Sequence, residues 1–229
     1  MKTYKKVKFK SREEWLKNGR KFGGSSAAAI LGVSHWNKKI DIWYKFKTGK
    51  VDESKATENQ TYGTLAEAPI REIVKLNLAR EGVKVKSPKG IEMYVDKTYP
   101  FLTATLDGVL EVENEELNKR GMKGNWLLEI KTHDLKGKED ETLWDGRLPQ
   151  EYLTQVLHYL MVMNDFNGAV LVAKLNHYAY EHDNRLFQGE EFRYYYIYRE
   201  EFEQTINKIK LAEIAFYERF IKGNEIPAF

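Results

Sequence analysis

Apolar residues recur in this chain with two different periods, and each period predicts a different kind of element. Spacings of three and four residues predict helices, whereas alternation or a short continuous apolar run predicts strands. The 168–175 run is apolar throughout, which is typical of a central strand buried on both faces. By these criteria we expect helices at about 11–20, 27–31, 40–48, 64–80, 149–163 and 199–222, and strands at 83–85, 91–95, 102–112, 126–132, 168–175 and 192–198.

Capping and turn residues set the expected ends of these helices. Ser11 and Glu14 have the spacing of a capping box, and Ser25-Ser26 is expected to cap the short helix that Gly32 closes. Pro69 is acceptable in its helix only because it is expected near the first turn. The remaining polar segments are predicted as a flexible connection at 51–60, a hairpin-like excursion at 113–124 and a mobile loop at 133–146, at the mouth of the site.

One acidic residue in the predicted 64–80 helix lies on an unusual side. Ile70, Val74 and Leu78 recur every four residues and mark the buried face of this helix. Glu67 lies three positions before Ile70, so it projects on or near the same face. An unpaired carboxylate is costly there. We therefore interpret Glu67 as an acid that points inward.

Composition limits the classes of protein that the chain can belong to. Its 229 residues suit a single domain spanning 1–229, and 37 basic against 34 acidic residues give a net charge of +3, too small to predict nucleic-acid contact over the whole surface. The absence of cysteine excludes disulfides, thiolate zinc sites, iron–sulfur clusters and a cysteine nucleophile. The basic N-terminus is not followed by an apolar signal region, and no run approaches membrane-spanning length. We therefore expect a soluble cytoplasmic protein.

Two predicted strands carry the strongest chemical signal. Glu129 and Lys131 share one face of their strand, and Asp107 can stand beside Glu129 if the strands are neighbours. A carboxylate pair with an ammonium beside it suits a hard cation bound by oxygen ligands, with the amine near the water or phosphate that the cation activates. The alternative is an exposed ion pair on an edge strand, where charged residues discourage aggregation.

A second candidate site lies near the N-terminus. Gly23, Gly24 and the two serines Ser25-Ser26 open a helix, which brings free backbone N–H groups and hydroxyls together in a suitable anion site. Arg20 is near enough in sequence to contribute. The alternative for these residues is ordinary N-capping. The helix at 149–163 carries a polar-tipped stripe that includes Gln155, which alone would be interpreted as a surface glutamine.

Zinc chemistry based on histidine is not supported by the sequence. The histidines are scattered without the spacing of a metal site, and oxygen-only ligands favour Mg²⁺ or Mn²⁺ over Zn²⁺. We therefore reject a His-based zinc hydrolase. The five histidines are His35, His133, His158, His177 and His182.

Together these segments resemble the lambda-exonuclease-type, or YqaJ-type, viral recombinase family of PD-(D/E)xK nucleases. The resemblance runs from about Arg20 to Tyr159 and depends on the order and spacing of several short motifs. It implies an α/β (α+β) fold with a restriction-endonuclease-like core, in which helices flank a central mixed β-sheet. The motifs are Gly23–Ala27, Ile30–Trp36, Gly63–Glu67, Ala104–Gly108, Leu128–Thr132 and Pro149…Tyr152…Gln155…His158-Tyr159.

The resemblance implies a set of metal ligands. Asp107 and Glu129 match the family's metal-binding carboxylates, and the Ile130 carbonyl matches the usual backbone ligand. Glu67 matches the helical acid that completes the metal environment, directly or through water. The implied cofactor is Mg²⁺, with Mn²⁺ as a substitute.

The resemblance also implies residues that act on DNA. Lys131 matches the lysine that helps to activate the attacking water, and Gln155 matches the glutamine that orients this lysine or the scissile phosphate. Ser26, with its neighbour Ser25, matches the position that holds the 5′-phosphate, and Arg20 is a looser match for the arginine of that pocket. The helices at 11–50 are thereby expected to form the DNA-end pocket. A base role for Lys131 requires a lowered pKa, which tight pairing with Glu129 opposes.

The function implied by the resemblance is a metal-dependent exonuclease that resects linear double-stranded DNA 5′ to 3′ for single-strand-annealing recombination. The implied partners are duplex DNA ends, a single-strand annealing protein and further copies of the chain in a trimeric ring, with no membrane partner. Three alternatives remain open from the residues: an endonuclease or RecB-like repair nuclease of the same superfamily, a catalytically inactive DNA-end-binding module, and a structural or interaction protein whose charged strand is only a surface feature.

Overall fold

The computed structural model describes residues 1–18, 21–49, 58–135, 137–181 and 184–228, which form two β-sheets surrounded by helices. The helices are α1 (Arg12–Lys17), α2 (Gly24–Leu31), α3 (Lys39–Thr48), α4 (Glu58–Arg80), α5 (Glu115–Lys119), α6 (Lys138–Trp144), α7 (Gln150–Val162) and α8 (Arg199–Phe216), which continues into a π-helical segment, Tyr217–Lys222. The strands are β1 (Tyr4–Phe9), β2 (Val83–Lys86), β3 (Ile91–Asp96), β4 (Thr103–Ala104), β5 (Gly108–Val112), β6 (Asn125–Leu135), β7 (Gly168–Glu181) and β8 (Asn184–Tyr198).

The larger sheet has five strands in the order β2-β5-β6-β7-β8. The β6–β7 pair is parallel and the other pairs are antiparallel. Parallel neighbours need a long crossover connection, and here α6 and α7 provide it. The predicted mixed sheet flanked by helices is therefore confirmed.

Alternation along the central strands divides the core between the two faces of this sheet. Leu127 and Leu171 belong to the cluster that includes residues of α2, α7 and α8. Leu128 and Val170 belong to the cluster on the other face, where α4 packs through Ile70 and its neighbours. Successive side chains of β7 thus enter both clusters, which confirms the prediction of a central strand buried on both faces.

The smaller sheet, in the order β1-β3-β4, was not expected in full because β1 was missed by the sequence analysis. Its residues, Tyr4–Phe9, pair antiparallel with β3. The sequence of this strand contains three lysines, whose exposed positions conceal the alternation of its apolar residues. Tyr4 and Phe9 are buried, so packing of these two ends against the protein outweighs the polar character of the segment.

The strand predicted at 102–112 is wrong as a single element. Thr103–Ala104 forms β4 of the smaller sheet, and Gly108–Val112 forms β5 of the larger one. Residues 105–107 carry the chain from one sheet to the other. The apolar pattern of 102–112 does not reveal this change of sheet, because both halves contain buried residues.

Several helix boundaries differ from the predictions. α1 ends at Lys17 rather than at about residue 20, and residues 19 and 20 lie outside the described part. α2 is capped by Gly23, so the predicted cap at Ser25-Ser26 is wrong and both serines lie in the first turn. α4 begins at Glu58, which places Pro69 well inside the helix rather than near its first turn. Residues 51–57 of the predicted flexible connection lie outside the described residues, and 58–60 are helical.

The two segments predicted as loop and excursion are also more ordered than expected. The 113–124 segment contains α5, capped by Asn114, whose side chain accepts hydrogen bonds from two backbone N–H groups. In the predicted loop at 133–146, residues 133–135 continue β6 and residues 138–144 form α6, whose Trp144 is only 1% exposed. Burial of Leu135 and Trp144 helps to fix a segment whose other residues are mostly polar.

Two further features complete the fold. β7 and β8 form a long hairpin in which the register shifts between His177 and Tyr178, beyond the last β6 pairing at Leu135. The sequence analysis predicted only the halves of these strands that lie in the core. Among the residues with described positions, no helix has the length and apolar character needed to cross a bilayer.

Candidate active site

The site begins where β5 separates from β6. Gly108 pairs with Leu128, and Asp107 lies one residue before this pair, on the segment that arrives from the smaller sheet. The Asp107 Oδ2 accepts a hydrogen bond of 2.7 Å from the Ile130 backbone N–H. A side-chain carboxylate thus takes a backbone donor of β6 just past the end of the β5 ladder, which fixes its position beside the strand that carries Glu129.

Gly108 has a steric role at this junction. An added Cβ would lie 3.2 Å from Leu128 Cδ2 and 3.3 Å from Val85 Cγ1. These contacts are tighter than ordinary packing, so a larger residue would press β5 away from its neighbours on both sides. The glycine next to Asp107 therefore helps to hold the carboxylate close to Ile130.

Glu129 is the centre of the hydrogen-bond network. Its Oε1 accepts from Lys131 Nζ at 2.7 Å and from Gln155 Nε2 at 2.6 Å. The Glu129 side chain is 5% exposed and that of Lys131 is 20% exposed, so the pair lies at the inner end of an opening to solvent. Strand periodicity places Glu129 and Lys131 on one face, as predicted, and this is the face that α7 covers.

Helix α7 contributes more than Gln155. Gln155 Nε2 also lies 2.9 Å from the Tyr159 hydroxyl, one turn further along, and Lys131 Nζ lies 5.4 Å from the centre of the Tyr152 ring. Tyr152, Gln155 and Tyr159 are spaced by three and four residues, so they share one side of the helix. The stripe noted in the sequence is therefore directed at the β6 carboxylate and amine, not at the surface.

The start of α2 packs directly against this stripe. A Cβ added at Gly24 would lie 2.3 Å from Gln155 Cγ and 2.9 Å from Tyr159 Cε1, so only glycine fits. The segment before α2 is fixed by a hydrogen bond from Phe22 N to Phe101 O and another from Thr103 N to Phe22 O. Sequence reasoning assigned Gly24 to an anion site and missed its contact with Gln155. No local pattern reveals this contact, since it joins residues 131 positions apart.

The proposed phosphate pocket is only partly described. Ser26 is buried, 5% exposed, and Ser25 is exposed on the same first turn of α2. This turn adjoins Gly24 and therefore Gln155. Arg20 lies outside the described residues. The structure thus brings the serines to the edge of the Glu129 network, and the 5′-phosphate role of all three residues stays a prediction.

Glu67 differs from the inward-facing acid that was predicted. Its side chain is 41% exposed and forms an ion pair with Arg71, one turn along α4. The prediction of an inward-facing acid is wrong for this half-exposed side chain, because the apolar-stripe argument did not consider Arg71 as its partner. Even so, the Glu67 charge acts on the site and raises the pKa of both Asp107 and Glu129.

The carboxylates are held in an environment that opposes their charge. Burial, followed by the charges of Glu129 and Glu67, raises the pKa of Asp107 well above its usual value, against the opposing effects of Lys131 and the Ile130 N–H. Burial likewise raises the pKa of Glu129, although Lys131 lowers it. Negative charge is therefore in excess here.

The pKa of Lys131 shifts in the opposite direction to the one that a general base requires. Burial lowers the pKa of Lys131, but the charges of Glu129 and Asp107 and the hydrogen bond to Glu129 outweigh burial and raise it above its ordinary value. Pairing with the carboxylates therefore outweighs burial and favours the ammonium form of Lys131 in this arrangement.

The donor set fits a hard divalent cation. Two buried carboxylates with raised pKa values and a third acid nearby supply oxygen ligands and surplus negative charge, which a small cation would neutralise. In the described residues, no three His, Cys, Asp or Glu side chains form a ready-made metal cluster. Glu129 instead accepts from Lys131 and Gln155, while Glu67 is bound to Arg71.

Comparison with protein families identifies one match. The family described as the YqaJ-like viral recombinase domain matches residues 14–165. Among curated proteins, the chain is 30% identical over 224 residues to the uncharacterized protein YqaJ of Bacillus subtilis (strain 168). That alignment covers 95% of this chain but only 59% of the relative, so the chain spans about three-fifths of that protein's length.

Comparison with solved structures identifies a shared fold. An alkaline exonuclease, LHK-Exo from Laribacter hongkongensis, superposes with a TM-score of 0.63 at 18% identity, covering 92% of this chain and 93% of that one. A structure of LHK-Exo in complex with dAMP matches with a TM-score of 0.54 at 16% identity, covering 95% and 100% of the two chains. At these identities the likeness is one of architecture.

Proposed function

The chain belongs to the YqaJ-like viral recombinase domain family, and on this premise we propose that it is a metal-dependent deoxyribonuclease that resects linear duplex DNA from its 5′ ends. One observation carries the proposal: Asp107, just before β5, accepts from the Ile130 N–H of β6, beside the Glu129 carboxylate that accepts from Lys131 and from Gln155 of α7. The exonuclease fold of LHK-Exo supports the same class of reaction.

The proposed ligands of the cation are the Asp107 and Glu129 carboxylates and the Ile130 carbonyl, with Glu67 completing the environment directly or through water. Mg²⁺ is the cation we expect, with Mn²⁺ as a substitute, because all these donors are oxygens. When bound, the cation supplies a nucleophilic hydroxide near neutral pH and neutralises charge on the phosphate.

The side chains of this chain have separable roles in the proposed reaction. The ammonium of Lys131 donates hydrogen bonds toward the negative charge that develops on the scissile phosphate. Gln155 donates a 2.6 Å hydrogen bond to the Glu129 carboxylate. This bond fixes the position of the carboxylate that is proposed to bind the cation. Because Gly24 has no side chain, Gln155 can pack against the start of α2 in this position.

The proposed DNA-end pocket consists of Ser25 and Ser26, on the α2 turn beside Gly24, together with Arg20. Its role is to hold the 5′-phosphate so that the next phosphodiester reaches Asp107 and Glu129. In this proposal the chain forms a trimeric ring and passes its single-stranded DNA product to a single-strand annealing protein, as the family resemblance implies.

The test compares three DNA substrates with the unmodified protein, with Mg²⁺, with Mn²⁺ and with a chelator. The substrates are a linear duplex with 5′-phosphates, the same duplex without them, and a closed circle. We expect metal-dependent digestion of both linear duplexes, faster with the 5′-phosphate, and intact circles. Cleavage of circles would instead support an endonuclease.

Two other outcomes would contradict parts of the proposal. Binding of DNA ends without cleavage in either metal would favour an inactive end-binding module. Equal digestion of the two linear duplexes would remove the phosphate pocket from the proposal and leave the nuclease assignment intact.

A further inference from the structure

A cleft of about 580 Å³ lies between the two sheets, on the side of β5 away from α4. One wall is formed by β1 and β3 of the smaller sheet, and the other by β5 and the turn that follows β2. The polar residues of the cleft are mainly lysines. These are Lys2, Lys6, Lys8, Lys86 and Lys89.

The charge of this cleft is out of proportion to the charge of the chain. Five lysines and two glutamates line it, and Asp165 pairs with Lys2 at 3.2 Å, which leaves a positive excess of two against +3 for the entire chain. Lys86 pairs with Glu111, so Lys8 and Lys89 are the lysines best placed to meet an anion. Glu92, whose side chain is 6% exposed, is shared by Lys6 at 2.8 Å and Lys8 at 3.5 Å, so one buried carboxylate faces two ammonium groups. Walls of low polarizability on both sides focus such an excess on an incoming anion.

The lysines of the cleft are partly fixed in position. Lys6 Nζ lies 5.1 Å from the centre of the Tyr94 ring, and Lys2 Nζ lies 5.5 Å from that of Tyr4. The two rings contact each other edge to face at 5.6 Å and are almost fully buried. Because the rings are rigid, they present the ammonium groups at a defined spacing, which reduces the entropy lost when an anion binds.

The cleft opens next to the candidate active site. Leu106 and Gly108, on either side of Asp107, both belong to its lining, as do Val109 and Glu111. At about 3.3 Å per strand residue, Val109 and Glu111 lie roughly 7 and 13 Å along β5 from Asp107. A chain of phosphates leaving Asp107 in this direction would therefore enter the cleft at once.

We propose that this cleft binds the phosphate backbone of single-stranded DNA next to the scissile phosphate, an inference that rests on the proposed nuclease function. The cleft lies within the size range of about 300–1,000 Å³ of pockets for drug-sized ligands, so it suits a short piece of one strand and not a duplex. Lysine binds phosphate as a point charge and needs no base sequence, as a resecting enzyme requires.

The test uses two lysines that can be replaced without leaving a buried carboxylate unpaired. In the Lys8→Gln/Lys89→Gln variant, Glu92 keeps its 2.8 Å contact with Lys6, and Lys89 is exposed. The matched control is Lys119→Gln/Lys208→Gln, which removes the same charge from exposed positions on α5 and α8. The unfolding midpoint of each variant is measured first, and we expect no change.

Affinity is then measured by fluorescence anisotropy with a labelled oligo(dT) strand and with a duplex of equal length, at several salt concentrations and with chelator present. Loss of two phosphate contacts should lower the salt slope by about 1.4 and weaken single-strand binding on the order of tenfold near 0.1 M salt. The duplex should be less affected, and the control should bind both as the unmodified protein does.

Three results would overturn the inference: unchanged oligo(dT) affinity, an equal loss in the control, or an equal loss for duplex and single strand. The same proteins are assayed for Mg²⁺-dependent digestion, which separates this inference from the nuclease proposal. If the unmodified protein digests DNA but the lysine variant binds the single strand equally well, the cleft proposal is wrong and the nuclease proposal stands. Weakened strand binding without digestion by the unmodified protein leaves the cleft as a DNA-binding site and removes the nuclease proposal.

Discussion

Two buried groups of charges lie one turn apart on α7, and they are balanced in different ways. Gln155 binds Glu129, which also accepts from Lys131 and whose charge acts on Asp107, so acids outnumber the single amine. His158 pairs with Glu213, and both side chains are fully buried. The same helix therefore serves one site with unbalanced charge and one with matched charge.

The matched pair has every feature of a structural contact. His158 lies 2.8 Å from Glu213 Oε2 through Nδ1 and 2.8 Å from the Thr103 carbonyl through Nε2, so it joins α7, α8 and β4. Both neighbours are acceptors when Glu213 is ionised, which favours the protonated ring. Burial lowers the pKa of His158, but Glu213 and Thr103 outweigh burial and raise it above 6.5.

The difference teaches how buried charge can be interpreted. A pair of opposite charges stabilises the connection between elements, although Glu213 Oε1 is buried without a hydrogen-bond partner among the described residues. A group with surplus negative charge is instead destabilised until a cation neutralises it. Opposite consequences for stability follow when one member of each group is replaced.

The largest effect is expected at the matched pair. His158→Leu leaves the Glu213 carboxylate buried without its partner, which should lower the free energy of unfolding by about 3–5 kcal/mol. The double variant His158→Leu/Glu213→Leu should recover most of this loss, because an apolar pair of similar volume needs no partner. Urea unfolding measures both. Similar instability of the single and double variants would show that packing, not charge, is lost.

The next effect is a gain of stability with loss of activity. Asp107→Asn keeps an oxygen that accepts the Ile130 N–H but removes a charge that Glu129 and Glu67 oppose, so the unfolding midpoint should rise while cleavage falls by about 10²–10³-fold.

The contrasting variant for Asp107 is Asp96→Asn. The Asp96 Oδ1 accepts from the Thr98 and Tyr99 N–H groups at 2.7 and 2.8 Å, and the weaker acceptor should lower the midpoint there. A lower midpoint for Asp107→Asn as well would contradict the idea of unbalanced charge.

A smaller effect is expected where α2 meets α7. Gly24→Ala places a Cβ 2.3 Å from Gln155 Cγ, which must move, so we expect a loss of stability of about 1–3 kcal/mol and slower cleavage. Gly23→Ala is the matched control, because nothing lies within 4 Å of its added Cβ. If both variants digest DNA equally, the position of Gln155 does not matter for the reaction.

The smallest effect is a dependence of stability on pH. Because the folded-state pKa of His158 is raised above its unfolded value of about 6.5, its contribution is complete below pH 6.5 and is lost as the pH rises through the folded-state value. The free energy of unfolding should therefore decline on the alkaline side of pH 6.5. This component should persist in Asp107→Asn and be absent in His158→Leu, and its presence in both would assign it to another group.

The sequence predicted those parts of the site that depend on local periodicity. Alternation along β6 placed Glu129 and Lys131 on one face, and helical spacing placed Gln155 beside Tyr159. The pairing of the Asp107 and Glu129 segments was a condition of the predicted site, and the antiparallel pairing of β5 with β6 meets it.

The parts that were missed depend on contacts distant in sequence. The smaller sheet forms because β1 pairs with a strand more than eighty residues away, and Trp144 orders α6 through the rings of Tyr152 and Tyr195. The salt bridge of Glu67 with Arg71 was local, yet the apolar stripe beside it led to the wrong orientation. Periodicity identifies one face of an element, but it does not reveal which side chains of other elements contact that face.

The segment 105–107, which crosses between the sheets, has a mechanical consequence. It joins the two sheets, so any shear of the smaller sheet against the larger one would displace the Asp107 carboxylate from the Ile130 N–H. The alignment of the two proposed ligands, Asp107 and Glu129, is thereby made sensitive to whatever fills or empties the space between the sheets.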